Sequence, residues 1–381
     1  MLTSARSSVR SSKALLAVLL AMAALWWGAA LPADAEVTVR DTASRSWTVN
    51  GRVLATKIVG NVVYVGGTFT TATSPTGQNV TRRGLAAFRL SDGALVTGFA
   101  ANVNNGGSVR TIVSDGSSLW VGGAFSSIGG VSRGRVAKLN LSTGGVDTSF
   151  QANTNGMVRA LEVRGNDLYI GGQFSTVRGT TRSNLAEVRA ATGVVDTAFN
   201  RGANGWVSGL RLSPDGNRLW ATGNFTTLGG GSRVGLGGVS TTNGAVAGPN
   251  FPASVRPQFG LDINTDGSRI FVVGQSNVLG AYRTDTGGRP WLRRAEGDTQ
   301  AVRFFNNEVY FGFHEGYEGN TRLKVLAADP TNGAIDPSFR PNVVGFWGVF
   351  AIDATAAGLV IGGEFTSAGG VTARGWARFL R

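Results

Sequence analysis

Residues 168–174 read LYIGGQF, and near-copies of this segment occur six more times along the chain. Successive copies start 39 to 56 residues apart. The other copies begin at Val63, Leu119, Leu219, Ile270, Val309 and Leu359. A repeat of this length indicates supersecondary units that stack or are arranged radially.

Each repeat contains four segments with the sequence character of strands. In the third repeat, residues 158–161 precede a turn at Gly165-Asn166, two residue types that tolerate the positive φ of tight hairpins. The LYIGGQF segment follows, then a Gly-rich loop, a third strand, a turn at Thr192-Gly193 and the segment VDTAF. This pattern predicts an all-β fold, a seven-bladed β-propeller of four-stranded antiparallel blades.

The third residue of the first segment is small in every repeat. Crowding of the first strands around a central axis would require this. The residues are Ala55, Thr111, Ala160, Gly209, Gly260, Ala301 and Ala351.

The two ends of the chain complement each other. The last repeat stops at Arg381, after its third strand, whereas residues 36–50 (EVTVRDTASRSWTVN) carry alternating apolar residues before the first repeat. We predict that this N-terminal segment supplies the outer strand of the last blade and closes the ring, which leaves no open edge.

The composition is that of a globular domain. Of 381 residues 42% are hydrophobic, and 57 glycines against 10 prolines suit many tight turns. We predict a signal peptide at 1–35 and one propeller domain at 36–381, with repeats starting near residues 53, 109, 158, 207, 255, 299 and 349.

The N-terminus has the three parts of an export signal. Arg6, Arg10 and Lys13 precede an apolar run at 14–30, and Ala33-Asp34-Ala35 forms a cleavage site. We therefore expect a secreted or cell-surface protein with no stable membrane span after cleavage. An uncleaved membrane anchor is the alternative, because the apolar run is nearly long enough to cross a bilayer.

Charge and cysteine content exclude some classes of site. The chain has no cysteine, so disulfides, cysteine zinc sites and thiol nucleophiles are excluded. Its net charge is +13, almost all from arginine, which favours anionic envelope polymers as partners. Arginine spread over solvated faces for solubility is the alternative. Nucleic acid is not expected, since no basic run or recognition motif is present.

The full motif resembles that of a known repeat. The order GG-x-F, Gly-rich loop, Arg, L/V-A-x-L, TG and VD-x-x-F is similar to the delta-sixty repeat of bacterial secreted and surface propellers. The resemblance covers 53–381 and is best at 109–156 and 158–205, whereas the fifth repeat lacks the loop and the D-x-x-F element and is expected to form a distorted blade. It implies a propeller that is often associated with the cell surface and has no established catalytic residues.

Residues that recur in most repeats are predicted to be structural. An arginine before the third strand recurs together with an aspartate in the fourth segment, and we interpret each pair as a tie within one blade. A ring of ligand-binding arginines is the alternative. The pairs are Arg133 with Asp147, Arg182 with Asp196, and Arg322 with Asp336.

Residues that break the repeat are the candidates for ligand binding. They lie in the sixth repeat and in connections between repeats, where aromatic rings beside charged groups suit stacking on sugars or clamping of a peptide. Alternatively, the aromatic residues only seal the junctions between blades. The candidates are Trp206, His314, Glu315, Tyr317, Glu318 and Trp347.

No catalytic residue, metal site or cofactor is assigned from the sequence. His314 is the only histidine, and one histidine with Glu315 and Glu318 on a single loop is a weak metal pattern. We predict a monomeric binding module for an envelope polysaccharide or a protein partner. The alternatives are a hydrolase or lyase acting on an acidic glycan, with His314, Glu315, Tyr317 and Glu318 as its acid-base group, and a purely structural surface protein.

Overall fold

The computed structural model describes residues 39–381, which form one compact unit of strands and loops. The predicted signal peptide at 1–35, and residues 36–38 of the predicted closing segment, lie outside the described residues. Within 39–381 there is no helix, and therefore no helix that could cross a membrane.

Seven main antiparallel sheets follow one another along the chain, and within each of them every strand pairs with the next strand of that sheet. Sheet 1 contains Val53–Val59, Val62–Gly67 and Leu85–Arg89; sheet 2 contains Ser108–Ser114, Ser118–Ala124 and Val136–Asn140; sheet 3 contains Met157–Arg164, Asp167–Gln173 and Leu185–Arg189. Sheet 4 contains Val207–Leu212, Arg218–Gly223, Leu236–Ser240 and Val246–Ala247; sheet 5 contains Gln258–Ile263, Arg269–Gly274, Val278–Arg283 and Trp291–Arg294. Sheet 6 contains Thr299–Phe305, Glu308–Phe313 and Val325–Ala328; sheet 7 contains Gly348–Thr355, Gly358–Glu364 and Trp376–Leu380.

Most sheets have three strands, which differs from the four predicted. The fourth segment of sheets 1, 2, 3 and 6 pairs with the third strand at a single residue, as Val188 does with Val195. In VDTAF the Asp196 carboxylate accepts the main-chain N–H of Ala198, and this local turn ends the pairing. Phe199 then packs fully buried in the core. Sheet 5, expected to be distorted, instead has four paired strands.

The Gly-Gly pair of the repeated motif permits two close approaches. Gly171 faces the next sheet, where an added Cβ would lie 2.7 Å from Val207 Cγ1. A Cβ on Gly172 would overlap the carbonyl oxygen of Met157 in the first strand of the same sheet. The second strand is therefore buried on both faces, which explains its continuous apolar sequence.

Each first strand contains one register shift at the same place. The residue at the shift is partly exposed and precedes the small residue predicted to lie near the axis. The residues at the shifts are Leu54, Arg110, Arg159, Ser208, Phe259, Gln300 and Phe350. Successive first strands pack against one another, and that of sheet 7 packs against that of sheet 1.

The Gly-rich loops form small hairpins beside the main sheets. All five hairpins also pair with the connection that leads into a first strand: Thr71–Thr73 with Thr48–Val49 and Ser367–Ala368 with Val343–Val344 as short strands, and the other three through a single bridge each. The strands of the hairpins are Thr71–Thr73 and Asn79–Thr81, Ser127–Ile128 and Val131–Ser132, Thr176–Val177 and Thr180–Thr181, Thr227–Leu228 and Gly231–Ser232, and Ser367–Ala368 and Val371–Thr372.

The N-terminal segment lies between sheets 7 and 1. Ser44 forms a bridge with Arg378 of the last strand, and the Trp47 N–H donates to the Gly93 carbonyl beyond sheet 1. Buried clusters likewise span neighbouring sheets, and one of them joins Val53 of sheet 1 to Trp376 of sheet 7.

Candidate functional site

The connection between sheets 6 and 7 exposes an apolar surface. We name Val344, Phe346 and Trp347 the aromatic ridge; their exposed fractions are 43%, 63% and 38%. Phe346 is the most exposed large hydrophobic residue among residues 39–381. Its ring centroid lies 5.1 Å from that of Trp347, with the two planes nearly perpendicular.

The exposure of Phe346 follows from its place in the repeat. In sheets 1, 3 and 4, an asparagine three residues before the aligned valine of the first strand (Val53, Val158 or Val207) accepts two main-chain N–H groups from the next hairpin; Asn155, for example, accepts those of Ser175 and Thr176. Phe346 lies three residues before Val349, where a phenylalanine cannot make these bonds. The main-chain carbonyl of Val344 accepts the Thr366 N–H there.

Charged groups surround the aromatic ridge. The Arg52 guanidinium lies over the Trp347 ring, 5.3 Å from its centroid, and also pairs with Glu364. Two hollows of about 540 and 370 Å³ meet at Phe346. The first is lined by Arg52, Glu364 and Arg374, and the second by Glu315, Arg322 and Lys324.

His314 lies behind the ridge and is mostly buried. Its ring centroid is 5.5 Å from that of Trp347, Nδ1 is 3.5 Å from Glu315 Oε1, and Nε2 is 3.9 Å from Asp298 Oδ2. Burial raises the pKa of Asp298, and the nearby His314 opposes this rise. His314, Glu315 and Trp347 are thus brought together as one group.

The other predicted ligand-binding residues lie apart from this group. Tyr317 is buried in the core of sheet 6 against Phe313, with a ring separation of 6.1 Å. Glu318 is exposed, 3.6 Å from Arg340 Nη2. Trp206 lies at the central cavity. The four residues named for the alternative acid-base group therefore do not converge on one point.

Two of the three predicted arginines, Arg133 and Arg182, bind the main-chain carbonyl of their predicted aspartate rather than its carboxylate. Arg133 Nη2 donates to the carbonyl of Asp147 at 3.2 Å, and Arg182 Nη2 donates to that of Asp196 at 2.8 Å. The Asp147 carboxylate pairs instead with Lys138 at 3.1 Å. Arg322 lines the hollow beside Phe346, and the Asp336 carboxylate accepts hydrogen bonds from Ser338.

The first strands of all seven sheets line a central cavity of about 320 Å³. Two residues beyond the small residue, six of the seven first strands carry a charged side chain. The six are Lys57, Glu162, Arg211, Asp262, Arg303 and Asp353, which we name the charged ring. Three positive charges balance three negative ones.

The charged ring is a chain of ion pairs between sheets. Arg211 Nε lies 2.8 Å from Asp262 and Nη1 3.2 Å from Glu162, so that one arginine joins two neighbouring sheets. Asp262 raises the pKa of Arg211. Asp262 and Asp353 also accept the main-chain N–H groups of Phe304 and Ile58, respectively. Reading the same strand position in every repeat would have revealed these residues, which the sequence prediction missed.

The comparisons with known proteins concern the fold. A family model described as a domain of unknown function (DUF5122) beta-propeller matches residues 118–150. The WD40 beta propeller domain of Doa1 is similar over 90% of this chain and 96% of its own, with a TM-score of 0.60 and 11% identity. The fold is a β-propeller.

A second solved structure, the computationally designed Ika8 protein, is similar over 90% of the propeller chain and 100% of its own, with a TM-score of 0.54 and 12% identity. No curated relative matches the chain. At these identities the likeness concerns the fold alone. In the part of the propeller that the structure describes, no group of three or more histidine, aspartate or glutamate side chains is placed to hold a metal ion.

Proposed function

We propose that the seven sheets are the blades of one ring, built from delta-sixty repeats and closed by the N-terminal segment. The cyclic packing of the first strands supports this, because the first strand of sheet 7 packs against that of sheet 1. The contacts of residues 43–49 with both sheets also support it. The ring would be exported by the N-terminal signal and act as a monomer outside the cell or at its surface.

The propeller is proposed to be a binding module whose ligand is an acidic polysaccharide of the cell envelope. The observation that carries this proposal is the exposure of Phe346, a large aromatic residue that a monomer without a ligand gains nothing by exposing. Aromatic faces suit stacking on sugar rings, and Trp347 is already oriented by the Arg52 guanidinium over it.

The charges around the ridge favour an acidic polymer over a neutral one. Arg52 and Arg374 line the larger hollow with Glu364 as the single acid, and Arg322 and Lys324 line the smaller one with Glu315. Lys324 is buried, but the exposed Arg52, Arg322 and Arg374 outnumber the two acids around Phe346 and provide sites for carboxylate groups of successive sugars.

Retention of the purified full chain on immobilised polysaccharides tests this proposal. We expect retention on polygalacturonate but not on dextran, release by high salt, and a loss of affinity of about tenfold in Phe346→Ala. Val194→Ala is the matched control, because Val194 is an exposed apolar residue in a turn at the other end of the strands. Equal retention of Phe346→Ala and wild type, or retention on neither polymer, contradicts the proposal; the second result favours a protein ligand.

A further inference from the structure

Two arginines face the central cavity without a counter-ion. Arg110 and Arg159 occupy the register shifts of neighbouring sheets 2 and 3, and both line the cavity. Neither side chain forms a hydrogen bond or an ion pair with any residue in 39–381, and the Nε of each is buried without a partner. Burial lowers the pKa of both, and the charge of Arg110 lowers that of Arg159 further.

Arg110 and Arg159 differ in this respect from the cations of the charged ring, all of which have acidic partners. Each cation of the ring lies within 3.4 Å of an acid on a neighbouring sheet, and the ring as a whole is neutral. No acidic residue lines the cavity around Arg110 and Arg159. Two adjacent guanidinium groups in a confined space repel each other, and an anion bound between them would remove the repulsion.

The remaining walls indicate what kind of anion fits. Arg159 is held over the Trp206 ring at 5.0 Å, which limits the positions that its guanidinium can adopt. Phe259 and Phe350 contribute apolar surface from other sheets, and the Gln300 Oε1 has no hydrogen-bond partner. The volume of about 320 Å³ lies at the lower end of the range for small-molecule sites.

We propose that the central cavity binds a small organic anion, whose carboxylate or phosphate group lies between Arg110 and Arg159 and whose apolar part lies against Phe259 and Phe350. All of these residues are partly exposed, so the cavity is open to solvent. Guanidinium groups bind either oxyanion through paired N–H donors, whereas the aromatic walls distinguish an organic anion from a simple inorganic one. The site does not depend on the aromatic ridge.

Isothermal titration of the full chain with four probes tests the site: phenyl phosphate, 3-phenylpropionate, inorganic phosphate and the neutral alcohol 3-phenylpropanol. We expect one of the two organic anions to bind at least tenfold more tightly than inorganic phosphate and the alcohol. Arg110→Gln and Arg159→Gln should each weaken that binding at least tenfold. Arg218→Gln is the matched control, since Arg218 also lies over a tryptophan, Trp220 at 4.9 Å, but outside this cavity.

Thermal unfolding supplies a second measurement that does not require large heats of binding. The bound anion should raise the melting temperature of the wild type and of Arg218→Gln, but not that of the two cavity variants. Without anion, the cavity variants should melt no lower than the wild type, because each removes an unpaired charge. Binding of the alcohol as tight as that of the anions overturns the proposal, as does anion binding unchanged in both cavity variants, or the absence of any binding to folded protein.

Discussion

At the scale of single residues, Glu187 is the clearest case of an unfavourably placed group. This carboxyl lies buried in the third strand of sheet 3, opposite Tyr169 in the pairing register, and its Oε2 has no hydrogen-bond partner. Burial raises its pKa to about 8, and the nearby Asp167 and Asp196 add to the rise. The folded protein therefore binds a proton at this site more tightly than the unfolded chain does.

Stability should consequently fall as the pH rises through this site. An unfolded glutamate titrates near pH 4.3, so the contribution of Glu187 is complete below about pH 4 and is lost progressively up to about pH 8. We predict that Glu187→Gln is more stable than the wild type above pH 7, by about 1–3 kcal/mol, and equally stable near pH 4. Urea unfolding at pH 4, 6, 7.5 and 9 measures the difference.

A carboxyl whose pKa is lowered rather than raised serves as the control for Glu187. Asp285 is exposed and paired with Arg283, which lowers its pKa. Asp285→Asn should therefore gain no stability at high pH. A parallel pH dependence of Glu187→Gln and the wild type between pH 4 and 9 would show that folding does not raise the pKa of Glu187.

At the scale of elements, the second strands could be predicted because their Gly-Gly pair is required by two close contacts. In sheets 1, 2, 3 and 7 the Gly-Gly pair allows close approach of the valine of the next sheet on one side and of the first strand of its own sheet on the other, so both glycines recur there. We predict that Gly171→Ala destabilises the protein by about 1–3 kcal/mol, since its Cβ would lie 2.7 Å from Val207 Cγ1. Chemical denaturation of the purified variant measures the loss.

A second substitution separates overpacking from a change in the strand itself. Val207→Ala removes the clashing methyl groups, so Gly171→Ala should cost less in this background than in the wild type. Val158→Ala, which faces Gly122 of the preceding sheet, is the matched control and should leave the cost unchanged. An equal cost in all three backgrounds would exclude the contact with Val207 as the cause.

Other elements could not be predicted from single segments. The segment VDTAF has the composition of a strand, but the Asp196 carboxylate bonds to its own following main chain and limits pairing to one residue. The Gly-rich loops form hairpins because they can pair with the connection leading into a first strand, and only the folded chain brings the two together. Their composition alone is that of a loop.

The candidate sites could also be predicted only in part from the sequence. The break in the repeat at Phe346 and Trp347 is visible in the sequence and marks an exposed surface. Tyr317 also breaks the repeat but packs into the core, since its ring reaches Phe313. Arg110 and Arg159 were missed because only the register shift in each first strand turns them toward the cavity.

At the scale of the whole molecule, Arg378 connects the two ends of the described chain. Its buried guanidinium donates to Ser46 Oγ and the Arg45 carbonyl of the N-terminal segment, and to the carbonyls of Leu90 and Ser91 after sheet 1. All four acceptors are neutral, and burial lowers the pKa of Arg378. One side chain thus links the last strand to two other parts of the chain.

A comparison with the position of Arg378 in other sheets explains why an arginine fits in sheet 7. In sheets 3 and 4 an aromatic residue of the second strand, Tyr169 or Trp220, lies opposite this position. In sheet 7 the second strand has Val360 opposite Arg378. The smaller valine leaves space for the guanidinium to reach the N-terminal segment. Hydrogen bonds between the last strand and this segment therefore replace the aromatic packing of sheets 3 and 4.

We predict that Arg378→Ala lowers the free energy of unfolding by about 2–5 kcal/mol, because it leaves several buried carbonyl groups without donors. Arg283→Ala, which removes an exposed arginine paired only with Asp285, should change it by less than about 0.5 kcal/mol. If Arg378 acts by holding the N-terminal segment, deletion of residues 39–46 should reduce the cost of Arg378→Ala. Urea unfolding of the two single variants and the combined variant measures this coupling, and strictly additive losses would mean that Arg378 does not act through the N-terminal segment.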